Sequence, residues 1–237
     1  MDIRYQKNID EIFTQELQNK LLQKNIGVIG CGAIGGYILE YLSRLGVNSI
    51  SFWDGDIYEI SNLNRQIGCT ENTIGLNKAY TMKKRLTEIN SSIILKEHQW
   101  FFGDNENDIL ELFKCDFIFM GADGSYNIKT IQSDLQQVIK KNIPVIICPA
   151  QLLGGSVFIH LYDIEHFNFY IDNMIYWSKN DNPTCSVPAY KCALVAAEAV
   201  NQMVQYFDNN KYASIDSELK IDIYHHKYIQ SDRFGIF

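Results

Sequence analysis

The stretch Ile26-Gly-Val-Ile-Gly-Cys-Gly-Ala-Ile-Gly-Gly36, followed by Ser49-Ile-Ser-Phe-Trp-Asp54-Gly-Asp56, decides the reading of this chain. Ile26 to Ile29 is an apolar run too short for a helix and bounded by glycines, so it predicts a buried strand. Gly30-x-Gly32-x-x-Gly35 comes next, and then Ile34, Ile38, Leu42 and Leu45 recur at helical spacing. Ser49 to Trp53 is a second strand that ends in Asp54. Strand, glycine turn, helix, strand is a βαβ nucleotide-binding unit. The glycines allow a tight turn and close approach of backbone to a phosphate, and the helix start adds free N–H groups and a positive dipole end. Asp54 lies 19 residues beyond Gly35, where a carboxylate can accept hydrogen bonds from ribose hydroxyls. A glycine pattern alone is weak, because packing glycines in any buried turn produce it. The flanking strand, helix and acid give it weight.

Working outward, Ser92 to Glu97, Cys115 to Met120 and Pro144 to Cys148 predict further strands, and 76–89 and 126–141 predict helices. That alternation implies an α/β, Rossmann-like, doubly wound and mostly parallel sheet. Ligands on such sheets sit beyond the carboxyl ends of the strands, where the glycine loop, Asp54 and Asp123 fall. Residues 8–24 carry one apolar stripe and predict a helix, or two short ones split at Thr14 to Glu16. After 150 the alternation stops: Gly154 to Leu161 reads as an antiparallel strand, 189–207 as a long apolar helix, and 219–228 as an antiparallel closing strand. One domain is expected over 1–237, with an N-terminal helical arm (1–25), a nucleotide-binding half (26–150) and a partner-binding or dimer half (151–237).

The composition of the 237 residues is that of an ordinary globular chain, 46% apolar and 21% charged. A net charge of -7 argues against nucleic acid held by non-specific electrostatics. No apolar run approaches the ~20 residues of a membrane span, and the first residues lack a secretory signal, so a cytoplasmic location is expected. Six cysteines are scattered without a Cys-x-x-Cys pair, so no zinc is expected, and most should be small buried thiols. The five histidines show no metal-ligand spacing.

Four groups are expected to converge on a bound nucleotide. Asp54 would hold the ribose. Arg65 and Lys78 are cations following the second strand, one in a loop and one on the next helix. Asp123, at the end of the fourth strand, is a hard oxygen ligand suited to Mg²⁺. Cations beside phosphates with a carboxylate for magnesium describe phosphoryl or nucleotidyl chemistry, which an NAD-dependent oxidoreductase, the rival reading of the glycine loop and Asp54, would not need. Singly, Arg65 and Lys78 could be solvated surface charges, Asp123 a turn residue, and Asp56 a cap.

The elements Val28-Ile-Gly-Cys-Gly-Ala-Ile-Gly-Gly, Asp54-Gly-Asp56, Ser61-Asn62-Leu63-Asn64-Arg65-Gln66 and Gly75-x-x-Lys78-Ala79, with Arg4-Tyr5-Gln6-Lys7 at the start, resemble the ThiF/MoeB/HesA family, the bacterial branch of the ubiquitin-activating enzymes. The resemblance runs across nearly the whole chain. It implies an adenylyltransferase that binds ATP and Mg²⁺ and activates the C-terminal carboxylate of a small ubiquitin-like or sulfur-carrier protein or a peptide, releasing pyrophosphate; relatives are usually homodimers. Carried over, Gly30, Gly32 and Gly35 form the loop, Asp54 holds the ribose, and Asn62, Arg65 and Lys78 meet the triphosphate. Asp56 and Gln66 complete the nucleotide site, and Asp123 binds Mg²⁺. Lys7 stands where the family arm often has an arginine that reaches the partner subunit, and lysine keeps the charge but loses the bidentate fork. Cys185 sits near where some members carry a reactive cysteine. No neighbouring cation is evident, so a structural thiol is the favoured reading there. Lys129 resembles a basic residue often found after Asp123, or is an exposed helix charge. A branch acting on a small carboxylic acid or a tRNA base is the alternative within the family, and a non-catalytic nucleotide-holding subunit a further one.

Overall fold

A computed structural model describes residues 2–122, 128–149, 154–161, 164–165, 167–169, 171–172, 187–209 and 213–231. Five parallel strands are β1 (Asn25–Ile29), β2 (Ser49–Trp53), β3 (Ile94–His98), β4 (Phe117–Met120) and β5 (Val145–Ile147). Three antiparallel ones follow, β6 (Gly154–His160), β7 (Glu218–Asp222) and β8 (Lys227–Ser231). All eight form one sheet in the order β3-β2-β1-β4-β5-β6-β7-β8. β2 and β4 are buried at every residue; β4 accordingly reads as an unbroken apolar run, while β2 carries Ser49 and Ser51, whose hydroxyls donate to Asn25 Oδ1 at 2.7 Å and Glu111 Oε1 at 3.0 Å.

The helices are α1 (Gln15–Leu21), α2 (Gly35–Leu45), α3 (Lys78–Ile89), α4 (Asp108–Leu112), α5 (Ile128–Lys140) and α6 (Ala189–Phe207). One core joins Ile38, Leu42, Met82, Leu86, Val195 and Met203, so α2, α3 and α6 cover one face of the sheet. A second core joins Ile29, Trp53, Leu112, Ile131, Leu135 and Val138, so α4 and α5 cover the other. The sheet is doubly wound, as its alternation predicts. From β1 the chain builds outward to β2 and β3, then returns to lay β4 on β1's other side. The resulting switch point lies between the carboxyl ends of β1 and β4, the usual place for a ligand on such sheets.

Two expectations need correction. The arm is not one helical stripe: a 3-10 turn spans Ile3–Asn8 and α1 begins only at Gln15. Thr14 does not interrupt a helix but caps this one, its Oγ1 accepting the Leu17 N–H at 3.2 Å, the usual use of a threonine at that place. The closing segment is a hairpin rather than a single strand. Asp222 Oδ1 accepts the Tyr224 and His225 N–H groups at 3.1 and 3.0 Å, and His226 takes φ 53°, so the chain turns without glycine or proline. α6 is internal, in keeping with its density of alanine and valine, with Cys192, Val195, Ala196, Ala199 and Met203 fully buried.

Candidate functional site

The glycine loop occupies the switch point. Gly30 takes φ +95°, and a Cβ there would lie 2.8 Å from the Ala122 nitrogen beyond β4. A Cβ on Gly35 would overlap the Gly30 carbonyl oxygen. Both positions therefore require glycine for backbone packing. Gly32 differs: a Cβ there would meet only Gln66 Nε2, at 3.8 Å. The space over Gly32 is open to a ligand, beside the N–H groups that begin α2.

Asp54, 7% exposed, braces this loop. Its Oδ2 accepts the Cys31 N–H at 2.7 Å and its Oδ1 the Asp56 N–H at 2.9 Å. Burial pushes its carboxyl above the ordinary range, against the Cys31 N–H bond and the Lys78 charge. Each oxygen keeps a further acceptor site for a hydroxyl. Burial also drives the Cys31 thiol well up, so this loop cysteine is inert.

Lys78 is the first residue of α3 and is 7% exposed. A buried cation at a helix N-terminus is doubly disfavoured, by desolvation and by the dipole, so an anion must accompany it. Asp56 Oδ2 does so at 2.9 Å, from a side chain that is 54% exposed. The two segments are stapled together. The Lys78 N–H donates to the Asp56 carbonyl at 2.9 Å, and Asn77 Nδ2 donates to the Asp54 and Asp56 carbonyls at 3.0 and 3.1 Å. Asn77 was not among the expected site residues. Its signal, an asparagine just before a helical lysine and alanine, is that of an N-cap, and its Oδ1 caps the Tyr80 N–H at 3.0 Å.

Asn62 ends a short 3-10 segment, Ile60–Asn62, and Arg65 lies in the turn that follows. Asn62 Oδ1 accepts the Glu59 N–H at 3.1 Å, and its carbonyl accepts from the Arg65 and Gln66 N–H groups at 3.1 and 2.9 Å. Arg65 Nη1 donates to the Ser61 carbonyl at 2.7 Å and to Asn64 Oδ1 at 2.9 Å, while its charge reaches the Cys192 thiol on α6. Gln66, 7% exposed, leaves its Oε1 buried without a hydrogen-bond partner. Tyr58 OH, beneath the same turn, is also buried and unpaired. Gln66 borders the space over Gly32, whereas the Tyr58 ring, 1% exposed, lies against Gly68.

The structure thus brings Gly30, Gly32, Gly35, Asp54, Asp56, Gln66 and Lys78 together, with Asn62 and Arg65 in the adjoining turn. Asp123 and Cys185 lie outside the described residues. Lys7 is far from this site. Its 3-10 turn is pinned at the C-terminal ends of α2 and α3 through Tyr5, Gly46 and Asn90, the opposite end of the strands. Lys129 is exposed on α5.

Comparison with known proteins agrees with this geometry. A probable molybdopterin-synthase adenylyltransferase from Porphyra purpurea is 31% identical over 205 residues, 81% of this chain and 51% of that protein. A tRNA threonylcarbamoyladenosine dehydratase from Haemophilus influenzae is 30% identical over 149 residues, 62% of this chain and 54% of that one. The chain therefore spans about half the length of these relatives. A crystal structure of E. coli MccB with ATP shares the fold with TM-score 0.74 at 21% identity, covering 98% of this chain and 71% of that one. Residues 5–232 match the ThiF family, and the chain belongs to that family.

Proposed function

We propose that this chain is an ATP-dependent adenylyltransferase, built as one adenylation domain. The observation that carries this reading is Lys78, a buried cation held beside an open glycine loop by a solvent-exposed carboxylate. Such a cation can leave Asp56 for a phosphate without losing a counter-ion. The loop and the first turn of α2 cradle the triphosphate, Asp54 accepts from the ribose, and Lys78 and Arg65 neutralise charge that builds on the α-phosphate. Asn62 holds the turn that carries Arg65, and Gln66 closes the space over Gly32. An acceptor carboxylate attacks the α-phosphate in line, and pyrophosphate leaves. No general base is required, because the nucleophile is already an anion. Asp123 is the residue placed by sequence to hold Mg²⁺, which would offset phosphate charge.

The acceptor in this reading is the C-terminal carboxylate of a small ubiquitin-like or sulfur-carrier protein or of a peptide, consistent with the molybdopterin-synthase relative. The test is exchange of labelled pyrophosphate into ATP, expected only with the right acceptor present. Arg65→Ala and Lys78→Ala should each abolish exchange and leave the fold intact; full exchange in both would refute the assignment. The tRNA-modifying relative supports a second reading, against which the charge of -7 counts. A mobility shift with tRNA at physiological salt would favour it. A homodimer in the cytoplasm belongs to the same proposal. The crossover from β2 to α3 exposes Ile57, Ile60, Leu63 and Leu76, an apolar face that a second copy would cover, and light scattering would read the mass. Among the described residues no helix is long and apolar enough to cross a membrane.

A further inference from the structure

The crossover that leaves β2 and returns as α3 carries Asn62, Arg65 and Gln66, and its two ends are zipped together. The Gly75 N–H donates to the Tyr58 carbonyl at 2.8 Å, the Tyr58 N–H to the Leu76 carbonyl at 2.9 Å, and the Lys78 N–H to the Asp56 carbonyl at 2.9 Å. The Asn77 side chain carries this ladder one step further. Its Nδ2 donates to the Asp56 carbonyl at 3.1 Å and to that of Asp54 at 3.0 Å. The carboxylate assigned to the ribose and the cation assigned to the phosphates thus sit on backbone joined by one amide.

Capping does not require this. Asn77 Oδ1 accepts the Tyr80 N–H at 3.0 Å, and a serine or aspartate oxygen would do as much. Among the residues that favour an N-cap, asparagine alone has two N–H donors besides its acceptor, and here both ends of the amide are used. Lys78 is the reason it matters. Its ammonium is a point charge on a flexible four-carbon stem, so the root of the stem decides where the charge can be held. That root is the residue next to Asn77.

We propose that Asn77 is a positioning residue: its amide fixes the start of α3 against the end of β2 and so sets where Lys78 meets the phosphates. The proposal rests on the ATP reading above. Asn77 acts through Lys78 and not on the nucleotide. Residues that act as one unit give non-additive effects when both are changed, whereas a residue that only stabilises the fold would act alike with or without the ammonium.

Calorimetric titration of Mg-ATP into the wild type, Asn77→Ser, Lys78→Met and the double variant tests this, with Asn77→Ala and thermal melting alongside. Asn77→Ser keeps a capping oxygen and gives up the amide, so it should melt near wild type while binding ATP about fivefold more weakly. In the Lys78→Met background the same change should leave ATP affinity within about twofold. Asn77→Ala, which also loses the cap, should melt lower yet bind ATP no worse than Asn77→Ser. Equal weakening by Asn77→Ser in both backgrounds would mean that the amide shapes the crossover and not Lys78. Undiminished binding in Asn77→Ser would mean that the cap is all the residue supplies, and affinity that keeps falling with the melting temperature into Asn77→Ala would mean a general loosening. Each of these overturns the proposal while the ATP reading stands. A wild type that binds no ATP overturns both before any variant is made.

Discussion

The two ends of β1, β2 and β3 are built from similar parts to different ends. Where the strands begin, the N-terminal turn is locked by a complete polar network. Asn90 Nδ2 donates to Tyr5 OH at 2.8 Å and to the Ser43 carbonyl at 3.1 Å. Arg4 donates to Asn90 Oδ1 at 2.7 Å and to Ser92 Oγ at 2.9 Å. The Tyr5 ring packs on Gly46, whose φ is +84°. Where the strands end, Gln66 Oε1 and Tyr58 OH are buried and unpaired, at about 1–3 kcal/mol for each such group. A network that satisfies itself serves stability, whereas one that leaves groups unsatisfied is arranged around something it will bind.

The contrast is breakable, and its largest expected effect lies at the loop end. Lys78→Ala or Arg65→Ala should lower pyrophosphate exchange by at least ~10²-fold with the melting temperature near wild type. A large loss of stability would move Lys78 to the structural side. Gly35→Ala should cost about 2–3 kcal/mol of stability, since the new methyl meets backbone that cannot yield, and abolish ATP binding with it. Asn90→Ala, at the other end, should cost about 2 kcal/mol by leaving several partners unpaired, and denaturant titration would show this with ATP affinity unchanged. Gln66→Met should sharpen the comparison further. Removing a buried unpaired carbonyl should leave stability equal or about 1 kcal/mol higher, while exchange falls.

The smallest effect concerns acid. Burial would raise the Glu111 carboxyl, but bonds from Lys114, Lys96 and Ser51 outweigh it and hold the group at about 2. A depressed folded value means that the contribution is present above the unfolded 4.5 and is lost as pH falls towards about 2. Glu111→Gln should therefore lower stability near neutrality by about 1 kcal/mol once solvent screening is allowed for, and the difference from wild type should close as pH falls through that window.

How much was legible follows the same division. The loop end was readable because phosphate binding needs glycines, a strand-end acid and cations at fixed spacing, all carried by short local segments. The pairing of Lys78 with Asp56 was not, because it depends on α3 returning to β2 across a crossover of irregular backbone. Asn77, Asn62 and Thr14 show the recurrent difficulty: polar residues that look like linkers or ligands also serve as caps and turn locks, which a sequence shows only once the helix start is known. Within the sheet, a continuous apolar run gave away β4. The β7–β8 hairpin stayed hidden because His226 adopts positive φ without any glycine to announce it.

The central claim is that Lys78 stands ready to exchange Asp56 for an ATP phosphate. Calorimetric titration of Mg-ATP into the wild type and Lys78→Met tests it most directly, since methionine keeps the bulk and the partly exposed Asp56 tolerates losing its partner. One ATP bound per wild-type chain, with affinity lowered at least ~10-fold in Lys78→Met, is the predicted result. Equal affinity in the two proteins, or no binding to the wild type, would contradict it.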